Sequence, residues 1–381
     1  MKVKQLYDVV NNAQKTILGE QSVLQEDLSN LTTLGDEVLD TNNVDNYVRS
    51  LIDQIGKIVF VARPYASQIP SILMDSWEFG SVLMKVSSDL LNATENEEWE
   101  LQDGAIYDQQ QFYKPLATAK FYNQKTTFEI PISITRKQVK ESFKNAEQLN
   151  AFVSMIYNEV EKSLTVKVDG LVMRTICSGI GEVLTHGKAT QKINLLKEYK
   201  AEHTGSTLTA ATCISDPEFL RFATLKLKLT ANRLSKMSRL FNIGNKARFT
   251  TKEYLHTIML NEFKEGAGVY LYDANGQFNT DNIKLIDAET VPYWLGSGTD
   301  YSFGETSRIN AKLSDGTIIN KSGILGVMFD RDAMAVCNQS REARSTYNAK
   351  GNFYNNYFDA DCSYFIDTNE NIVVFYVADD E

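Results

Sequence analysis

Residues 145–178 read NAEQLNAFVSMIYNEVEKSLTVKVDGLVMRTICS. Leu149, Phe152, Val153, Ile156, Val160, Leu164, Val168, Leu171, Val172 and Ile176 recur at steps of three and four, the repeat of one helix face. At about 1.5 Å per residue this predicts a helix on the order of 50 Å long. Gly170 lies inside it, at a cost of about 1 kcal/mol relative to alanine, so a bend or a close approach is expected there. A helix of that length is out of proportion to a compact enzyme core and reads as a spine.

Immediately upstream, Phe128, Ile130, Ile132 and Ile134 alternate with Glu129, Pro131 and Ser133, a period-2 strand with one apolar face. Pro131 cannot donate to a ladder, which places this strand at a sheet edge. Residues 72–91 mix β-branched and large apolar residues around Trp77 and Phe79, and a polar stretch, 92–111, separates the two. That stretch holds Glu95, Glu97, Glu98 and Glu100 around Trp99. The simplest architecture is a long two-stranded excursion with an acidic tip, supported from outside the subunit because a lone hairpin is marginal in water. Further back, Val44, Val48, Leu51, Ile52 and Ile55 predict a helix, and residues 1–45 form a polar arm with too few apolar residues to bury much alone.

Downstream, residues 179–212 read as polar and loop-like. Asp216-Pro217 supplies an N-cap and a proline at the first helical position, opening a helix through Phe222, Leu225, Leu229, Met237 and Leu240. A second amphipathic helix is expected over 250–263 from its Thr-Thr-x-Glu opening. Asn275-Gly276 and Asp315-Gly316 mark hairpin turns, and the last sixty residues read as an aromatic, β-rich block.

The chain has 381 residues, 43% of them hydrophobic and 23% charged, which is ordinary globular composition. Its longest uninterrupted apolar run, Ile372–Ala378, is seven residues, far short of a membrane span. The opening MKVKQLYDVVNNAQK carries no apolar signal core, so the expectation is residence where the chain is made. A net charge of −10 argues against nucleic-acid binding through a general basic face. Cys177, Cys213, Cys337 and Cys362 are widely spaced and read as buried free thiols.

Chemistry-bearing patterns are scarce. His186, His203 and His256 lie in separate segments without metal-ligand spacing, and no serine sits in a nucleophile elbow. Gly179-Ile180-Gly181 and Gly266-Ala267-Gly268 do not extend to a phosphate-binding loop. Residues 273–284 imitate a calcium loop, but Phe278 replaces the required glycine and Lys284 the closing glutamate. No cofactor or metal is implied, and carboxylate abundance alone is the only support for a carbohydrate-active hydrolase. The charge map is more telling: Phe219–Lys252 holds nine basic residues, among them Arg233, Lys236 and Arg239, and no acidic one. A solvated helix face and a contact with acidic regions of identical neighbours, such as the Glu95–Glu100 tip, are the two leading readings, with nucleic acid, for which the window lacks interleaved exposed aromatics, a distant third.

The sequence resembles the major capsid proteins of small podoviruses, the picovirus group, which carry the HK-ninety-seven-type fold. The matching segments are NYVRSLIDQIGKIVFVARP, FVSMIYNEVEKSLTVKVDGLVMRTI, TANRLSKMSRLFN, TKEYLHTIML and GILGVMFDRDAMAVCNQSREARSTYNAKGNFYNNYFDADCSYF, in the family's order. The resemblance implies an α+β fold: an N-terminal arm over 1–45, a leading helix and extended loop over 46–140, and a peripheral domain over 141–200 that the β segment 324–381 completes. Residues 201–323 are the implied axial domain. The implied function is a structural shell protein, not an enzyme, that self-assembles as hexamers and pentamers around the double-stranded DNA of a tailed phage. Scaffolding and portal proteins are the implied partners, with no sequence-specific DNA contact and no membrane. The implied location is the virion, after synthesis in the host bacterial cytoplasm. Trp77, Trp99, Phe112 and Tyr113 are the expected aromatic contacts between subunits. The shell of a cellular nanocompartment, which shares the fold, is the alternative.

Overall fold

The computed structural model describes residues 69–74, 83–88, 90, 103–104, 106, 110, 117–135, 146–270, 288–295 and 302–379. Strands β1 (Leu73–Met74), β2 (Leu83–Ser88), β3 (Ala117–Tyr122) and β4 (Lys125–Thr135) precede helix α1 (Ala146–His186). Then come β5 (Lys192–Asn194), α2 (Leu195–Glu202), α3 (Pro217–Leu234), β6 (Leu255–Leu260), α4 (Asn261–Tyr270), β7 (Glu289–Val291) and the short α5 (Phe303–Thr306). The chain continues through β8 (Ile309–Lys312), β9 (Ile318–Lys321), β10 (Ile324–Asp330), β11 (Met334–Asn348), β12 (Phe353–Ile366) and β13 (Ile372–Tyr376). Two compact units divide it, one of residues 1–78, 125–172 and 336–363, the other of 79–124, 173–335 and 364–381.

The first unit holds a four-stranded sheet in the order β1-β11-β12-β4. Its outermost strand is β4, and it pairs with β12 alone, which is where Pro131 has no ladder bond to lose. Phe128, Ile130 and Ile132 are half-buried while Glu129, Pro131 and Ser133 are exposed, as the alternation predicts. On the exposed face, residues of neighbouring strands also bond through their side chains, Thr127 with Asp361 and Ser133 with Asn355 as register partners. Thr127 donates to Asp361 at 2.6 Å, Ser133 to Asn355 at 2.6 Å, and Arg344 reaches Asp359. The opposite face of β12 buries Phe358, Ala360 and Cys362, and α1 contributes Val160, Leu164, Val168 and Leu171 to the core.

The spine helix has 41 residues, about 60 Å at the standard rise, and runs past the predicted end at Ser178. Gly179 and Gly181 look like a helix stop but are packing positions. A Cβ at Gly179 would meet the Met334 sulfur at 2.2 Å, and one at Gly181 would meet Leu313 at 2.7 Å. From Ile176 to Leu184 every residue except Ser178 is buried, so the amphipathic stripe gives way to a helix covered on all sides. Gly170, by contrast, faces open space, so it serves no close approach.

In the second unit a five-stranded sheet runs β5-β13-β10-β6-β7. β10 is buried along its whole length between antiparallel β13 and β6, so its sequence shows no alternation. Trp294 is fully buried and its indole N–H donates to the Ile324 carbonyl at 2.9 Å. Three sequence expectations fail here. Residues 179–212 are not a loop: Asn194 caps α2 by accepting from the Lys197 N–H, and Leu195, Leu196 and Tyr199 bury. The helix expected over 250–263 is instead strand β6 followed by α4, because the Leu255–Leu260 run fills a central sheet position and Thr250 donates to Asp330 rather than capping. The helix opened by Asp216, which accepts from the Phe219 N–H at 2.8 Å, ends at Leu234, short of Met237 and Leu240. The Asp315-Gly316 hairpin forms as expected between β8 and β9, with Gly316 at φ +90°. The Val44–Val59 helix, the Asn275-Gly276 turn and the calcium-loop imitation lie outside the described residues.

Candidate functional site

The excursion predicted from the alternating strands is present as an antiparallel ribbon, with a different pairing. β2 pairs with β3, not with the 128–134 strand, which belongs to the other sheet. The register sets Leu83 against Tyr122, Lys85 against Lys120 and Ser87 against Thr118 on one face. Met84 against Phe121, Val86 against Ala119 and Ser88 against Ala117 form the other.

These faces are inverted relative to ordinary amphipathic strands. Met84, Val86 and Phe121 are 56%, 60% and 65% exposed, while the lysine face turns inward. The inward face closes on the turn between β12 and β13. Lys85 Nζ lies 3.0 Å from Asp367 and 2.8 Å from Glu370, and Lys120 Nζ lies 2.9 Å from the other Asp367 oxygen. Arg248 adds a third cation, its Nε 3.2 Å from Glu370. Asp367 is almost fully buried, so its charge depends on these cations for solvation. Burial pushes its carboxyl up, but the bonds from Lys120 and the charge of Lys85 outweigh this and hold it below the usual range. Burial likewise pulls Lys85 down, and the Glu370 and Asp367 carboxylates more than reverse that. Burial and the Asp367 charge push the Tyr122 phenol up, so it stays neutral.

A second exposed surface lies on α3. Its buried face carries Phe219, Leu220, Ala223, Leu227 and Leu234. On the opposite side Arg221, Leu225, Leu229 and Arg233 follow one another at four-residue steps, all exposed. Lys236 and Arg239, beyond the helix end, are exposed as well. The basic window therefore divides by use. Lys226 is bound between Glu198 and Glu202, both at 2.9 Å, and Arg248 serves the ribbon root. Leu225 and Leu229, which mark the helix in the sequence, are surface residues.

Of the residues singled out from sequence, Arg233, Lys236 and Arg239 are each exposed. Trp77, Glu95, Glu97, Glu98, Trp99, Glu100, Phe112 and Tyr113 lie outside the described residues. The ribbon root was missed, because Lys85, Lys120, Asp367 and Glu370 are scattered over nearly 300 positions and only the fold assembles them. The one local signal was the alternation of 83–88, whose apolar phase points the wrong way for a core.

The described residues offer little for chemistry. Among them, no group of three or more His, Cys, Asp and Glu could hold a metal. All four cysteines are buried, and burial pushes Cys177 and Cys213 up to about 12. Burial lowers His256. A cleft of about 520 Å³ lies beside the ribbon, where Arg174 donates to the Tyr364 hydroxyl at 2.9 Å. Its lining pairs no nucleophile with a base.

A model of the Phi29-like phage major capsid protein family matches residues 10–376. Among solved structures, the chain is similar to one in the capsid structure of Staphylococcus phage Andhra, with a TM-score of 0.51 at 10% identity, over 81% of this chain and 83% of that one. A chain in the structure of the head fiber and inner core protein gp22 of native bacteriophage P68 gives a TM-score of 0.50 at 12% identity, over 82% and 84%. At such identities the likeness shows a shared fold. No curated protein sequence matches.

Proposed function

Starting from a chain that belongs to the Phi29-like phage major capsid protein family, a structural head-shell protein of a tailed phage and not an enzyme, we propose that its copies join through the outward face of the β2–β3 ribbon. The carrying observation is the inversion of that ribbon. Met84, Val86 and Phe121 stand in solvent while two lysines are turned inward and neutralised. Exposed apolar side chains in a contiguous group mark a surface awaiting a partner, and a shell supplies many identical ones.

In this reading residues 1–45 are the arm, 46–140 the leading helix and extended loop, 141–200 with 324–381 the peripheral domain, and 201–323 the axial domain. Trp77, Trp99, Phe112 and Tyr113 add aromatic contacts along the loop, and the Glu95–Glu100 tip, like Arg233, Lys236 and Arg239, meets opposite charge on neighbours. The copies form hexamers and pentamers in the host cytoplasm with scaffolding and portal proteins, around double-stranded DNA held without sequence-specific contacts.

The test is the double variant Val86→Lys with Phe121→Lys. Both positions are exposed, so the subunit should keep its circular dichroism spectrum while closed particles, counted by electron microscopy and sedimentation, fall at least tenfold. Particles at wild-type yield would remove the ribbon from the interface.

A further inference from the structure

The exposed stripe of α3 is not a plain solvated face. Arg221, Leu225, Leu229 and Arg233 set two leucines between two arginines along about 18 Å of helix, at about 1.5 Å per residue. Leu225 is 55% exposed and Leu229 37%, and the two arginines have no acidic partner among the described residues. Neither a solvated face nor a phosphate backbone makes use of two leucines set between the cations. An acidic segment with its own apolar side does.

This chain contains such a segment. From Thr16 to Val48 there are seven acidic residues (Glu20, Glu26, Asp27, Asp36, Glu37, Asp40 and Asp45) and no lysine or arginine. Within it Leu24, Leu28, Leu31, Leu34 and Val38 follow at steps of four, three, three and four, the spacing that lines one side of a helix. The Glu95–Glu100 tip has the charge but only Trp99 as an apolar residue within it, too short a match for a stripe of this length.

We propose that the α3 stripe is the docking surface for residues 16–48 of a second copy of this chain. Leu225 and Leu229 cover the leucine side of that segment, and Arg221 and Arg233 meet its carboxylates. Each copy then offers one stripe and one acidic segment, the head-to-tail arrangement from which rings close. The inference rests on the shell-forming reading but not on the ribbon interface.

The test uses two full-length variants. One carries Arg221→Glu and Arg233→Glu; the other carries Glu26→Lys, Asp27→Lys, Asp36→Lys and Glu37→Lys. Each alone should lose closed particles at least tenfold with its circular dichroism spectrum retained, and an equimolar mixture should regain six-membered rings, seen by electron microscopy, since reversed stripe and reversed segment then meet between alternating chains. Six-membered rings that return only when both sets share one chain would overturn the proposal in favour of a contact within a subunit. Wild-type yield from the stripe variant would also overturn it, as would normal yield with reduced DNA retention, which assigns the stripe to nucleic acid. Independently, carbodiimide cross-linking of particles mixed from light and heavy-isotope wild-type chains should join Lys236 to a carboxylate of residues 16–48 across isotopes. Exclusively same-isotope links would count against it. Failure of the Val86 and Phe121 variant to block assembly would leave these results standing, so the two proposals fail separately.

Discussion

Lys85 and Lys120 stand directly opposite each other across the β2–β3 ribbon, and both ammonium groups are held by the single carboxylate of Asp367. Like charges facing each other across a ladder ordinarily weaken it. Here the repulsion is what makes the ribbon dependent on the turn between β12 and β13, whose carboxylates neutralise both lysines.

Replacing Asp367 with asparagine should therefore do more than remove one bond. It leaves two facing lysines with Glu370 as the remaining carboxylate. Discounting for the partial exposure of Lys120, the loss is about 2–3 kcal/mol, read from denaturant or thermal unfolding of the subunit.

The same root has a defined pH window. Asp367 lies below its ordinary 3.8, so its contribution is present above about pH 4 and is lost as the pH falls through the lowered value. Lys85 lies above its ordinary 10.5, so its contribution persists below that pH and is lost only as the pH rises through the raised value. Between the two the root should be indifferent to pH. Wild-type and Asp367→Asn chains should differ in unfolding midpoint at pH 7 and converge as the pH falls through the lowered value of Asp367.

Thiol chemistry gives a second check. With Cys177 and Cys213 buried and pushed up to about 12, a thiol-reactive dye at pH 8 should leave both unmodified in the folded chain and modify both once the chain is denatured. Rapid labelling of either in the native state would contradict their placement.

Two glycines should respond to alanine in opposite directions. Gly170 sits in the spine helix with nothing within 4 Å of a Cβ, so Gly170→Ala should raise the unfolding free energy by about 0.5–1 kcal/mol. Gly323 has φ +84°, and a Cβ there would lie 2.1 Å from the Val377 carbonyl oxygen. Gly323→Ala should cost about 2 kcal/mol or more.

How far the fold was legible depended on where periodicity and burial coincide. The spine helix, the edge strand marked by Pro131, the Asp216 cap and the Asp315-Gly316 hairpin announce themselves because local chemistry decides them. The helix expected over 250–263 failed because β6 is a central strand, buried on both sides, and such strands lose their alternation. The spine's end was misplaced because Gly179 and Gly181, which usually stop a helix, were chosen for closeness to Met334 and Leu313. At the candidate site the arginines of α3 could be found as a charge run, but their exposure beside Leu225 and Leu229 could not. The spacing of those leucines is equally that of a core.

The inverted ribbon also carries a rule of parity. Because side chains alternate strictly along a strand, removing one residue from 83–88 exchanges the two faces from that point on. Lysine then turns to the solvent and valine to the acidic turn, cancelling the latch and the adhesive side in one step, whereas removing two residues preserves both. Changes of length here are expected to survive in even steps only, a constraint that would register in the genetics of the ribbon rather than in its composition.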